Sequence, residues 1–262
     1  MTTREERKAA RAARKEQKQL ENAARGLNKR MIRFSQDERF AERLAEALPI
    51  YWDDFYDMET ADEMDMTESL RFFDWFFYDY TPDADTPTLF ATWMDEQRDD
   101  LSEREQQVVD RWVDMPAPSA YVFDDYDAIN AQFKLTEFFT GEELIAKSPA
   151  GFGHSKKGDL ILVRILPVGT EGLFSTVGAF IPSDEIDGLK EKIDEARAAD
   201  PDENHNAFMR RHSHLIVHHA MAKSIDEGRF AVSRLDPTRM DKAVKRAGKK
   251  MAKKFKKRVK RK

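Results

Sequence analysis

Apolar residues recur along the first half of the chain at the three- and four-residue spacings of helices, and beyond residue 117 the period shortens to that of strands. Ala13, Gln17, Leu20, Ala24, Leu27 and Met31 form a narrow stripe in residues 3–33, a segment of Ala, Arg, Lys, Glu and Gln with one glycine and no proline. The stripe is too poor in large residues to hold a coiled coil. It predicts a solvated helix, or one that orders on a polyanion. Residues 36–48 repeat apolar groups at Phe40, Leu44, Ala47 and Leu48, a second amphipathic helix that Pro49 is expected to end.

The next helix is the densest aromatic stretch of the chain. Phe72, Phe73, Trp75, Phe76, Phe77, Tyr78 and Tyr80 crowd together after Thr67 or Ser69, either of which can cap it, and Phe90 and Trp93 return on the following helix. Such rings bury on the order of 150–250 Å² each, so this patch predicts the core. Thr86-Pro87 is a start signal for the helix holding Phe90. Ser102-Glu103-Arg104-Glu105 reads as a capping box ahead of Val108, Val109, Trp112 and Val113.

Past Pro116 and Pro118, Tyr121-Val122-Phe123, Phe133-Lys134-Leu135, Phe138-Phe139, LILVRILPV and LFSTVGAFI have strand composition, with turn signals at Thr140-Gly141, Gly158-Asp159 and Gly169 to Gly172. About five short strands predict a small antiparallel sheet or partial barrel. A helix is expected from Ser183 to about Ala198, and another from Pro201 to about Ile225. The last begins at Asp236-Pro237, with Met240, Val244, Ala247, Met251, Phe255 and Val259 as its stripe. The fold class is α+β: a helical N-terminal half, a small sheet, C-terminal helices and basic helical extensions at both ends. Four segments follow: 1–33, a basic extension; 34–117, helical, acidic and aromatic; 118–233, β-rich with two helices; and 234–262, a basic amphipathic tail.

Charge changes this picture more than composition does. The net charge of −5 conceals +7 in residues 1–33, +13 in residues 242–262 and −25 between them. Blocks of this kind mark interaction tails. Absent cysteines exclude disulfides, thiolate metal sites and cysteine nucleophiles. No run reaches the roughly 18 apolar residues of a membrane span, and the first residues lack the apolar segment of a signal peptide, so a cytoplasmic protein is expected.

Candidate chemistry is sparse. The carboxylates between Asp53 and Asp65 lack the spacing of a calcium loop. Gly151, Gly153 and Gly158 around His154 and Lys156-Lys157 lack that of a phosphate loop and predict a turn. His214 and His218 share a helix face and are the weak metal candidates, without the glutamate of a metalloprotease motif between them. No cofactor is expected.

The runs RFFDWFFYDY, LSEREQQVVDRW, FTGEELIAKS and GDLILVRILPVG resemble a group of uncharacterised bacterial proteins, several of which end in a SEC-C zinc motif. The similarity covers roughly residues 67–222 and carries over no catalytic residue. This chain departs where the motif would stand, ending in KKMAKKFKKRVKRK. The resemblance implies an α+β core serving as platform for a C-terminal interaction module, here a basic helix.

The expected function is therefore non-enzymatic, sequence-independent binding of RNA or DNA backbones, with the ribosome as one candidate partner. Lys242, Lys245, Arg246, Lys249, Lys250, Lys253, Lys254, Lys256, Lys257 and Arg258 would carry it, with Arg11, Arg14, Lys15 and Lys18 second. Two alternatives stand beside it. One is a metal-dependent hydrolase using carboxylates from Asp53 to Asp79 with His214 and His218; the other is a self-assembling or interaction scaffold whose tails dock on its acidic middle.

Overall fold

In a computed structural model, residues 4–53, 56, 59, 66–148, 156–176, 178–199, 201 and 203–226 are described. Helix α1 runs Arg4–Phe34. Its predicted stripe is amphipathic over only part of its length. Leu20, Ala24, Leu27 and Met31 are buried, whereas Ala13 is exposed. Gln17, the polar member, donates to the Val168 carbonyl (2.9 Å) and accepts from the Thr170 amide (3.2 Å), tying α1 to a distant turn. The second half of α1 is thus core, not a solvated extension, because it lies against aromatic residues that a sequence stripe cannot see.

Helix α2 spans Ala41–Trp52 and carries Pro49 inside it. The expected stop fails there: proline removes one amide donor, but the helix continues and buries Tyr51 and Trp52 before Asp53 ends it at φ 51°. Helix α3, Met66–Tyr78, is the aromatic helix and begins before Ser69. Phe72, Trp75, Phe76, Phe77 and Tyr78 are buried, and so are Arg71 and Asp74 of the same helix. A helix enclosed on every side sits at the centre of a fold, and α1, α2 and Leu89–Gln97 (α4) surround it. Thr88 caps α4 through the Ala91 amide (3.2 Å), not Thr86, whose amide donates to Asp83 in the preceding turn (2.7 Å). The capping box of α5, Glu103–Trp112, forms as expected between Ser102 and Glu105.

Seven strands follow among the described residues: β1 Ser119–Asp127, β2 Gln132–Glu137, β3 Glu143–Lys147, β4 Leu160–Val163, β5 Ile165–Val168, β6 Glu171–Phe174 and β7 Ala179–Ile181. Their order is β5-β6-β3-β2-β1-β4-β7, antiparallel except for β3 with β6. The sheet is therefore mixed. Only Arg164 separates β4 from β5, yet the two lie near opposite edges, so the sheet must curl until those edges meet. The curl gives it two buried faces. Leu160 and Leu162 of β4 turn to the helices, while Ile161 and Val163 join Tyr121, Phe123, Phe133 and Phe174 inside the curl.

The C-terminal helices are shorter than their periodicity suggests. Ser183–Glu185 is a single 3-10 turn, and Gly188 at φ 87° precedes α6, Leu189–Arg197, because that left-handed residue interrupts the helix expected from Ser183. The histidine-rich helix is two: Asn204 caps α7, His205–His212, and α8, His214–Asp226, begins after Ser213. Among the described residues no helix is long and apolar enough to cross a membrane.

Candidate functional site

Three sets of polar side chains stand apart from ordinary surface. The deepest is built around Arg164, which is 1% exposed. Its Nε donates to Asp74 (3.0 Å), its Nη1 to the Pro116 carbonyl (3.0 Å) and its Nη2 to Asp79. Arg210 of α7 reaches the other oxygen of Asp79 (3.3 Å), and Tyr78 lies with its ring 4.9 Å from the Arg164 guanidinium. Burial disfavours the charge on Arg164, but Asp79 and Asp74 outweigh it and hold its pKa above the ordinary arginine value. Every arm of the guanidinium is engaged with the protein itself. The cluster therefore fixes the strand crossing at Arg164 to α3 and α7, and offers no group to a substrate.

The second set joins Ser119, Glu137 and His205. Arg197 can only donate, so its contact at 2.7 Å makes His205 Nδ1 the acceptor and leaves Nε2–H facing Glu137 at 3.5 Å. Ser119 also donates to Glu137, as do the amides of Phe139 (2.8 Å) and Thr140 (2.5 Å). Burial raises the Glu137 carboxyl, yet hydrogen bonds from His205, Ser119 and Thr140 bring it down to about 2. A nucleophilic serine needs its proton taken by a base near neutrality. Here the order is serine, carboxylate, histidine, and the carboxylate is too weak a base, so the set ties the start of α7 to the end of β2.

The third set is His212, His214 and His218. His214 and His218 do share a face, with ring centroids 5.1 Å apart, and His214 lies edge-on to Trp75 at 5.9 Å. His218 Nε2 donates to the Ile50 carbonyl (2.9 Å). Among the described residues no group of three or more His, Asp or Glu side chains could hold a metal ion. Of the carboxylates that the hydrolase reading requires, Asp74 and Asp79 are held by Arg164. Most of the acidic stretch 53–65, and the glycine-rich stretch 149–155, lie outside the described residues.

Burial pushes His214 down to about 3, with help from His218, His212 and Lys192. The fold thus prefers neutral His214. Its contribution is complete above the unfolded-state pKa near 6.5 and is lost as pH falls from there towards the folded value, at about 1.4 kcal/mol per pH unit. Urea unfolding at pH 7 and pH 4.5 should show stability falling by about 2–3 kcal/mol, and the His214→Phe variant should lose less over that window. An equal loss in the variant would assign the acid sensitivity elsewhere.

The basic residues predicted from sequence divide in two. Lys242, Lys245, Arg246, Lys249, Lys250, Lys253, Lys254, Lys256, Lys257 and Arg258 lie outside the described residues. Arg11, Arg14, Lys15 and Lys18 lie on the exposed first half of α1. Residues 4–15 carry six Arg or Lys against two Glu, and at 1.5 Å per residue they extend roughly 18 Å before the contacts of Glu16 with Arg104 and Gln17 with β5 begin. Sequence reasoning missed Arg164. A lone arginine in the apolar run LILVRILPV is its signal, since a charge amid buried strand residues requires a partner. Comparison with known proteins returned no matching family model, no matching curated protein and no matching solved structure.

Proposed function

We propose that the protein is a non-enzymatic binding protein that contacts RNA or DNA backbones through its basic ends. One observation carries this reading: α1 is half core and half cationic arm. Residues 20–32 seat the helix, so the arm bearing Arg11, Arg14 and Lys15, with Lys18 just behind it, continues a helix already anchored in the core. Less ordering entropy then opposes binding than for a free basic peptide. The strongly acidic remainder repels phosphate and confines contact to the ends. Nothing in the arm reads base edges, so affinity should be insensitive to sequence, and ribosomal RNA is one expected target.

Fluorescence anisotropy with mixed-sequence RNA and duplex DNA, between about 50 and 200 mM salt, tests it. Affinity should fall steeply across that range. Reversing Arg11, Arg14, Lys15 and Lys18 to Glu should weaken binding at every sequence and flatten the logarithmic salt slope on duplex DNA by roughly 3 to 4, at about 0.9 per phosphate contact. A slope unchanged by the reversal removes the arm from the interface; absence of binding to either nucleic acid ends the proposal.

A further inference from the structure

At one end the curled sheet finishes in a cavity of about 550 Å³. Side chains alternate between the faces of a strand, so Ser119 and Tyr121 of β1, Glu137 of β2, Leu144 of β3 and Ile165 of β5 all turn inward and line it together. His205 and Met209, four residues apart and so on one face of α7, close one side. Apolar carbon is accessible there: Leu144 and Pro167 are half-buried, and Ile145 is 50% exposed. The mouth of a barrel-like sheet, with an apolar wall and a few polar groups, is a preferred place for a small molecule.

The charged groups at this mouth have one sign. Asp114, Glu137, Glu142 and Glu171 line it, and among the described residues no lysine or arginine does. Glu171 is held by Lys147 and by Gln132 (3.0 Å). Glu137 is held by Ser119, His205 and two backbone amides, which keep it ionised without an arginine or lysine beside it. Glu142 is exposed and makes no ion pair among the described residues. Asn206 is occupied, accepting from the Ala117 amide (2.6 Å). Tyr121 is different. It is 3% exposed and lines the cavity, yet its hydroxyl makes no hydrogen bond among the described residues, and its oxygen is not sealed from solvent. Burial and the charge of Glu137 both raise its pKa, so it stays a neutral phenol with free lone pairs.

These features select a chemistry. An anion would be repelled by every ionised group at the mouth. A bare metal ion finds no set of three ligating His, Asp or Glu side chains among the described residues. A quaternary ammonium has no N–H to give the phenol, and one tyrosine ring is not the aromatic cage such ions need. A primary ammonium meets both demands: it donates to the Tyr121 oxygen and carries the charge that Glu142 and Glu137 favour. We infer that this cavity binds a small primary ammonium ion, its apolar body against Leu144, Ile165 and Pro167 and its nitrogen donating to the Tyr121 hydroxyl in the field of Glu137 and Glu142. The site is separate from the arm at residues 4–15 and does not depend on nucleic-acid binding.

Dansylcadaverine, a fluorescent primary ammonium on an apolar chain, tests this with the full-length protein. It should bind saturably at about 0.15 M salt, where exposed charges more than about 8 Å apart are largely screened. Hexylammonium should displace it at least about tenfold more effectively than hexyltrimethylammonium, a difference of about 1.4 kcal/mol, and hexanoate should not displace it. Tyr121→Phe removes one hydroxyl and keeps the ring and every charge. It should weaken hexylammonium by about tenfold and leave hexyltrimethylammonium unchanged, which a merely acidic surface would not do. Glu142→Gln, at an exposed position that folding does not need, should weaken both cations and covers a Tyr121 variant that fails to fold. Reversal of Arg11, Arg14, Lys15 and Lys18 should change neither. No saturable binding of the probe, equal displacement by the two cations, or full hexylammonium affinity in Tyr121→Phe would overturn the inference.

Discussion

Replacing Arg164 with Met should destabilise the protein by about 3–5 kcal/mol, the usual consequence of removing one partner from a buried ion pair. The substitution nearly conserves volume, so packing loss is minor. What remains is two carboxylates, Asp74 and Asp79, at 3% and 8% exposure, without the guanidinium that neutralised them. Arg210 reaches Asp79 with one arm, donates to the Met115 carbonyl (2.6 Å) with the other and is itself partly exposed, so it does not take over Asp74. Arg164→Lys should recover little. An ammonium is a point donor, whereas the guanidinium spans Asp74, Asp79 and the Pro116 carbonyl at once. Urea unfolding reads this as a lower midpoint at unchanged slope. Adding Asp74→Asn and Asp79→Asn to Arg164→Met should restore part of the loss, since neutral amides need no counter-charge. A loss below about 1 kcal/mol in Arg164→Met would mean that the cluster is well solvated.

Leu27→Ala should cost about 2–5 kcal/mol, as for other fully buried leucines. Leu27 is 0% exposed on a helix whose overall composition is that of a solvated segment. On the same helix, exposed Ala13→Glu should change stability by no more than about 0.5 kcal/mol. The pair locates where α1 stops being an arm and becomes core. Similar, small costs for both variants would detach the whole helix from the core and remove the physical basis for a preorganised arm.

Much of this was written locally. The α+β order, the capping box at Ser102 and Glu105, the aromatic helix as core and the stripe through Leu20, Ala24, Leu27 and Met31 each follow from spacings within one or two turns. Local signals also failed in a physical way. Pro49 and the Ser183 start were overridden, the first by the burial of Tyr51 and Trp52, the second by the left-handed conformation of Gly188. The start signal at Thr86-Pro87 falls two residues early: Thr86 belongs to a turn closed by Asp83, and Thr88 caps the helix.

The sequence by itself determined the periods, the caps and the sign of each charge block, because these depend on neighbours three or four residues apart. Only the tertiary structure decided which charges meet. Arg164 finds Asp79 and Asp74 across 85 and 90 residues, and that convergence exists only because a sheet interrupted by a single residue must curl. The same curl gathered Tyr121, Glu137 and Ile165 from three strands at the mouth of one cavity. A tyrosine packed in a sheet and a tyrosine at a cavity mouth have identical local sequence; what stands opposite them is set by the chain's long-range path.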